Sequence, residues 1–264
     1  MSADTLTARL LAVRDGAPVL GDVPAALRPV DLTAAYATAD EIVVALERRW
    51  GDVVGYKVGA TSTAGQGMLG LTEPFYGRIF AGCVVAGEGP WTVSDGRSSA
   101  EAEVGFVLGA DLPPGQGAYS LEAVAAAVAR VIPLIEINRP AYERPFEVGG
   151  LCLIADNGVT QGLVRGGPGV ALVDPEALAH ETVSMVRDGA SCADGRASVV
   201  LGNPLNALVW LANTLNARGT GVRVGDVVAS GAMTPPIPIA AGDRLSAEYS
   251  TLGRIEFRVA GGTT

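Results

Sequence analysis

From residue 53 onward, glycine cuts the chain into short apolar runs, and that texture limits the fold more than any other feature. Residues 53–58, 78–85, 101–108, 132–137, 151–154 and 160–164 read as strands bounded by turn residues. The alanine-rich stretch 120–131 reads as a helix. Asn203-Pro204 opens another: asparagine caps, proline suits the first helical position, and Gly219 fits the stop. Gly225-Asp226 and Gly242-Asp243 are turns that launch strands at 227–229 and 245–249, and 254–259 closes the fold. Strands and helices do not alternate regularly, which argues against a doubly wound parallel sheet.

The first fifty residues have a different texture. Residues 5–13 form a short amphipathic stretch ended by Gly16-Ala17-Pro18. Asp31 or Thr33 can cap a second helix, whose apolar positions Leu32, Ala35, Tyr36, Ile42, Val43, Leu46 and Trp50 recur at helical spacing until Gly51-Asp52. The expected class is α+β: a helical N-terminal cap over 1–52 and a glycine-rich, mainly β domain over 53–264.

Composition narrows the partners. Hydrophobic residues make up 48% of the chain and aromatic ones 5%, so Val, Ala, Leu and Ile must fill the core. A net charge of −9 with no basic run argues against nucleic acid or an anionic membrane surface as partner. No uncharged apolar run approaches the roughly 20 residues of a membrane span. Cys83, Cys152 and Cys192 are odd in number and far apart, which fits neither a disulfide framework nor a zinc knuckle. Thiols in a reducing cytoplasm are expected. Met1-Ser2-Ala3-Asp4 lacks a basic and apolar leader pattern, so no signal peptide is expected.

Two features carry chemistry. Lys57 is the only lysine, held in Gly55-Tyr56-Lys57-Val58-Gly59. In a chain whose other strong cations are all arginine, a lysine offers a compact point charge that fits against a small anion. A strand lysine extending to solvent is the plain alternative. The second feature is Glu101-Ala102-Glu103 with Glu136. On a strand, residues two apart share a face, so Glu101 and Glu103 project side by side, while Val104, Phe106 and Leu108 take the opposite, core-facing parity. Glu136 lies in the apolar run 131–137, so it is either on an exposed face or buried with a partner. Three carboxylates without histidine would make a hard oxygen site suited to Mg²⁺ or Mn²⁺. Glu-x-Glu on a solvated strand is the alternative.

Gly55-Tyr56-Lys57-Val58-Gly59-Ala60-Thr61-Ser62, Leu69-Gly70 and Pro74-Phe75-Tyr76-Gly77 resemble the opening of the 2-oxopent-4-enoate hydratase / 4-oxalocrotonate decarboxylase family, within the fumarylacetoacetate hydrolase superfamily. The likeness continues in order through 101–108, 134–137, Asp156-Asn157, 202–207, 210–213, Ser230-Gly231, Pro238 and Gly242-Asp243. It implies a fumarylacetoacetate-hydrolase-like β domain of rolled mixed sheets. It also implies Mg²⁺ or Mn²⁺ held by Glu101, Glu103 and Glu136, gripping a 2-oxo acid with Lys57 near that end of the substrate. The implied activity is a hydratase acting on a 2-hydroxy-dienoate or 2-oxo-enoate to give a 4-hydroxy-2-oxo acid. A 2-oxo-enedioate decarboxylase is the alternative, and would want an added cation such as Arg78 or Arg139. A non-catalytic partner subunit is the reading of another class. The resemblance further implies a homo-oligomer, with a paralogous hydratase or decarboxylase subunit as a conceivable partner.

The chain departs from the family pattern where proton transfer is implied. Aspartates usual before the Tyr-Gly pair are replaced by Thr72 and Phe75, leaving Glu73 as the only acid there. The usual serine after Asp156-Asn157 is represented by Thr160, with Val159 beside it. Glu73 and Thr160 are therefore candidate catalytic residues beside Lys57, and Phe75 suggests a more apolar pocket. Residues 59–70 read as a lid or substrate-side segment. His180 sits in a polar stretch and is expected at the surface; no nucleophile elbow accompanies it.

Overall fold

The computed structural model describes residues 4–93 and 95–262. Two helices open the chain, α1 (Leu6–Arg14) and α2 (Leu32–Trp50). Thr5 and Asp31 cap them by accepting from the Ala8 and Ala34 N–H groups, satisfying a donor that each first turn leaves free. Gly51, at φ 81°, ends α2 in a conformation that costs glycine little.

The rest of the chain runs β1 (Val53–Gly59), α3 (Thr63–Leu69), β2 (Phe75–Phe80), β3 (Val84–Ala86), β4 (Pro90–Val93), β5 (Ser99–Leu108), α4 (Leu121–Ala127) and β6 (Val128–Asn138). It continues with α5 (Gly150–Ala155), β7 (Thr160–Arg165), β8 (Thr182–Arg187), β9 (Ala190–Arg196), α6 (Pro204–Ala217) and β10 (Val227–Ala232). It ends with β11 (Ile237–Pro238), β12 (Arg244–Tyr249) and β13 (Gly253–Gly261). The larger sheet has eight strands in the order β2-β1-β10-β5-β6-β7-β3, with β11 added beside β5. The β1–β10 and β3–β7 pairs are parallel and the others antiparallel. The smaller sheet orders β4-β13-β12-β8-β9, with only β4–β13 parallel. The α+β class with mixed sheets is as expected, and both sheets are open.

The two faces of β5 bury different things. Ala102, Val104, Phe106 and Leu108 enter the main core with α6 and the smaller sheet. The other face meets a smaller cluster of Ile79, Ile132, Leu134, Leu163, Val227 and Ala229. Tyr249 ties the two sheets together. Its hydroxyl accepts from the Glu103 N–H at 3.1 Å and points its own hydrogen at the Leu134 and Glu103 carbonyls, 2.6 and 2.9 Å away. A third cluster joins the N-terminal helices to the large sheet: Leu6, Leu10, Ile42 and Leu46 pack with Phe80, Tyr142 and Leu153.

Three expectations need correction. Residues 151–154 are not a strand but lie in α5. A short apolar run is ambiguous by periodicity alone. The ladder also has no place for it, since β7 is already paired with β6 and β3. The helix expected over 120–131 stops at Ala127, and Val128 begins a strand that pairs through Val131 with Phe106. There the ladder along β5 overrides alanine's helix preference. The strand expected over 78–85 starts earlier, at Phe75, and breaks after Phe80. A tight turn over Ala81–Cys83 interrupts it, and Gly82 passes so close to the Trp50 carbonyl that a Cβ would lie 2.9 Å from it. Residues 59–70 contain α3, capped by Ser62. The β8–β9 hairpin was not foreseen. Among the described residues, no helix is long and apolar enough to cross a membrane.

Candidate metal centre

Strand alternation puts Glu101 and Glu103 on one face of β5, and the antiparallel register sets Glu136 of β6 directly opposite Glu101. One carboxylate oxygen from each of the three lies within 4.8 Å of the others. Glu103 and Glu136 are each 1% exposed. Like charges this close repel, and burial adds a desolvation cost. Burial and the charge of Glu136 push the Glu101 carboxyl up to about 7 and that of Glu103 well above the usual carboxylate range.

The donors around the cluster are few. Lys57 Nζ lies 3.3 Å from Glu136 Oε2, and the lysine is 4% exposed. The Gly231 N–H donates to Glu103 Oε2 at 2.7 Å. A register shift in β10 between Ala229 and Ala232 frees that N–H from the ladder. Gly231 has φ 122°, and a Cβ there would meet the Thr61 hydroxyl at 2.4 Å, so the position requires glycine. Glu103 Oε1 and Glu136 Oε1 are buried with no hydrogen-bond partner. Buried carboxylate oxygens left bare are costly, and a divalent cation among them would remove both the repulsion and the orphaning. The all-oxygen donor set fits Mg²⁺ or Mn²⁺.

Lys57 is directed into the site by small neighbours. Its cross-strand partners are Gly77 on β2 and Ala229 on β10. Phe75 stands beside it, with Lys57 Nζ 5.2 Å from the ring centroid. The ring fits because Gly59 faces it: a Cβ at Gly59 would come within 2.4 Å of the ring. Phe75 is 3% exposed, so an apolar ring sits against the lysine.

Thr160 is 6% exposed, and its Oγ1 is buried without a partner. It pairs with Asn138 at the end of β6, two residues beyond Glu136. The turn before it is strained: Asn157, Gly158 and Val159 have φ of 52°, 67° and 59°. For a β-branched residue such as Val159 that is a rare conformation. Two anchors hold it. The Asn157 side chain accepts from the Arg78 N–H at 2.8 Å and donates to the Arg78 carbonyl at 2.9 Å. Asp156, buried, accepts from the Ala141 N–H and pairs with Arg14 of α1. The first helix is thus wired to the turn that delivers Thr160.

Glu73 lies elsewhere. It is exposed on the loop before β2 and lines a shallow surface pocket with Asp31, Leu32, Gly70, Leu71 and Thr72. Its carboxylate makes no hydrogen bond or ion pair among the described residues. Arg78 and Arg139 are both engaged, Arg78 with Asp40 and Arg139 with Asp95. His180 is exposed, as expected.

Sequence reasoning missed Asn138. It is 7% exposed, and its amide donates to Glu101 Oε2 at 2.8 Å and to Glu136 Oε2 at 3.3 Å. The signal was available, because Asn138 follows Glu136 by two and so shares its face. Ser230, whose buried hydroxyl has no partner, was read only as part of a family motif.

Comparison with known proteins gives a consistent picture. The fumarylacetoacetate (FAA) hydrolase C-terminal family model matches residues 80–260. The TodF product hydratase of Pseudomonas putida is 34% identical over 264 residues, covering 94% of this chain and 96% of that protein. The 2-keto-4-pentenoate hydratase 2 of Dechloromonas aromatica is 32% identical, covering 92% of each. Among solved structures, 4-oxalocrotonate decarboxylase from Pseudomonas putida G7, complexed with magnesium and adipate, superimposes with a TM-score of 0.85. It is 28% identical, over 96% of this chain and 97% of that one.

Proposed function

This chain belongs to the fumarylacetoacetate hydrolase family, and from that premise we propose that it is a divalent-metal-dependent lyase of the hydratase type. Its substrate would be a 2-hydroxy-dienoate or 2-oxo-enoate, and its product a 4-hydroxy-2-oxo acid. The observation that carries the reading is the buried triad Glu101, Glu103 and Glu136, with bare oxygens, beside a buried Lys57. The magnesium bound by the decarboxylase structure and the hydratase names of the sequence relatives support it.

In this reading Glu101, Glu103 and Glu136 hold Mg²⁺ or Mn²⁺. When bound, the ion supplies Lewis-acid polarisation of the carboxylate and 2-oxo end of the substrate. The residues of the chain do the rest. Lys57 offsets carboxylate charge and offers a donor to the anionic end of the substrate. Phe75 and the glycines around it form a dry wall against the hydrocarbon chain, which keeps stray water from the dienol. Thr160, with an uncommitted hydroxyl, orients the water that adds. In the overall change the dienol first becomes the 2-oxo-3-enoate by protonation at C5. Water oxygen then bonds to C4 while C3 takes a proton, so one water is consumed. Glu73 is the remaining acid of its segment, and Glu73→Gln measures its part in proton transfer.

A decarboxylase is the second reading, favoured by the structural match to 4-oxalocrotonate decarboxylase. A second substrate carboxylate wants a free cation, and the two arginines considered for it are committed to Asp40 and Asp95. That pairing favours a monocarboxylic substrate. The test is turnover of 2-hydroxypenta-2,4-dienoate against 4-oxalocrotonate with Mg²⁺, following dienol absorbance and CO₂ release. Loss of absorbance with no CO₂ supports the hydratase. CO₂ release from 4-oxalocrotonate alone supports the decarboxylase. Turnover of neither, with a paralogue co-purifying, supports a non-catalytic partner subunit.

The reading includes a cytoplasmic setting, consistent with free thiols at Cys83, Cys152 and Cys192. It also includes a homo-oligomer, alone or with a paralogous subunit, which light scattering would detect.

A further inference from the structure

Asn138 is a neutral side chain set among charged ones. Both hydrogens of its amide are taken up, one by Glu101 Oε2 on β5 and one by Glu136 Oε2 on its own strand. Two acceptors on that side fix which end of the amide faces them. Its Oδ1 is buried and has no hydrogen-bond partner. Packing alone does not account for this, because an apolar residue of the same size would leave no amide oxygen orphaned.

The donors around the cluster follow one pattern. The Gly231 N–H takes Oε2 of Glu103 and leaves Oε1 bare. Asn138 takes Oε2 of Glu136, together with Lys57, and again Oε1 is left bare. Asn138 also takes Oε2 of Glu101. Each carboxylate therefore has one oxygen held by the protein and the other uncommitted. A carboxylate held in this way offers a metal a single oxygen rather than both.

We propose, resting on the metal-dependent reading above, that Asn138 is a positioning residue that sets how the carboxylates meet the ion. It ties one oxygen each of Glu101 and Glu136 so that both bind through the other oxygen, which keeps coordination positions open for a chelating 2-oxo acid. Its Oδ1 accepts a hydrogen bond from water brought in with the ion. No other side chain donates to two of the three glutamates among the described residues.

The experiment uses Mn²⁺ alone as the probe, with full-length wild type and Asn138→Leu, read by calorimetry and Mn²⁺ electron paramagnetic resonance. Wild type should bind. Asn138→Leu, similar in size but without donors, should bind about 10–100-fold more weakly, the loss typical when a partner of a metal ligand is removed. Its bound-Mn²⁺ spectrum should change as the ligand set rearranges. Mn²⁺ affinity and spectrum equal to wild type would overturn the proposal, including when the variant melts at a lower temperature, since that pattern marks a purely structural bridge between strands. If Asn138→Leu does not fold, Asn138→Ala carries the same two outcomes. Absence of Mn²⁺ binding by wild type would overturn the metal reading itself, and is thus distinct from failure of the Asn138 assignment.

Discussion

Two buried carboxylate sites in this molecule are built in opposite ways. Glu181, 3% exposed, precedes β8 and is fully served. Its Oε1 accepts from the Ser250 hydroxyl and the Thr251 N–H, both at 2.9 Å, and its Oε2 accepts from the Thr251 hydroxyl. Glu103 and Glu136 are as deeply buried, yet each keeps a bare oxygen, and they crowd a third carboxylate. The Glu181 arrangement is complete and locks a loop. The arrangement on β5 and β6 leaves oxygens bare, and the proposed cation would complete it. Burial of a charge therefore does not distinguish structure from function; the satisfaction of its oxygens does.

The sharpest way to break this contrast is to exchange the outcomes of removing each charge. Glu103→Gln should abolish turnover and weaken Mn²⁺ binding by more than the roughly 10–100-fold expected when a ligand's partner is removed, since in the proposed reading it takes away a charged ligand itself. The metal-free variant should melt no lower than wild type, because a repelling buried charge has gone. A calorimetric titration beside a thermal melt checks both. Next in size, Lys57→Met should leave the fold intact and lower kcat/KM about 10²–10⁴-fold, the range for a lost proton-transfer or charge-stabilising group. Wild-type steady-state kinetics in Lys57→Met would detach the lysine from the site.

Glu181→Ala should behave the other way. Three hydrogen bonds from Ser250 and Thr251 are lost, so stability should fall by about 2–4 kcal/mol, at roughly 0.5–1.5 kcal/mol each. Mn²⁺ affinity should not change. Urea unfolding gives the first quantity and titration the second; a loss of metal affinity would erase the distinction between the two sites. The smallest effect concerns Asp95, an ion-paired but partly exposed carboxylate. Its slight burial raises the carboxyl, but hydrogen bonds from Arg139 and Arg97 outweigh this and bring it to about 2. A depressed acid stabilises the fold at pH values above its unfolded value of 3.8, and that contribution is lost as pH falls through about 2. Asp95→Asn should therefore cost less than about 1 kcal/mol near neutrality, as for other solvent-screened pairs. The difference from wild type should shrink in acid, as urea unfolding across pH will show.

Much of the candidate site was legible because its signal is local. Glu101 and Glu103 share a face by strand alternation, and Val104 and Phe106 proved to be on the core side as read. Helix caps at Asp31, Ser120 and Asn203 depend on side chains reaching backbone a few residues away; Asn203 was read as a cap from sequence, and Asp31 as one of two candidates beside Thr33. Elements failed where neighbours decided them. Val128 left its helix because β5 offered a ladder, and residues 151–154 became helical where the following strand, β7, was already paired on both sides. Glu73 was singled out as the last acid in its segment, but which way a loop residue turns has no periodic signal, and it faces outward.

Local pattern was enough for the mainly β character after residue 53, the shared face of Glu101 and Glu103, and the solitary lysine between glycines. The folded chain was needed to set Glu136 opposite Glu101, to bring Lys57 to it, and to place Asn138 and the Gly231 amide each on one oxygen of a carboxylate. The reason is one of range. Alternation along a strand is set by the geometry of adjacent residues, whereas cross-strand register is set by pairing between segments tens of residues apart, and the hydrogen-bonding needs of a buried oxygen appear only after those segments meet.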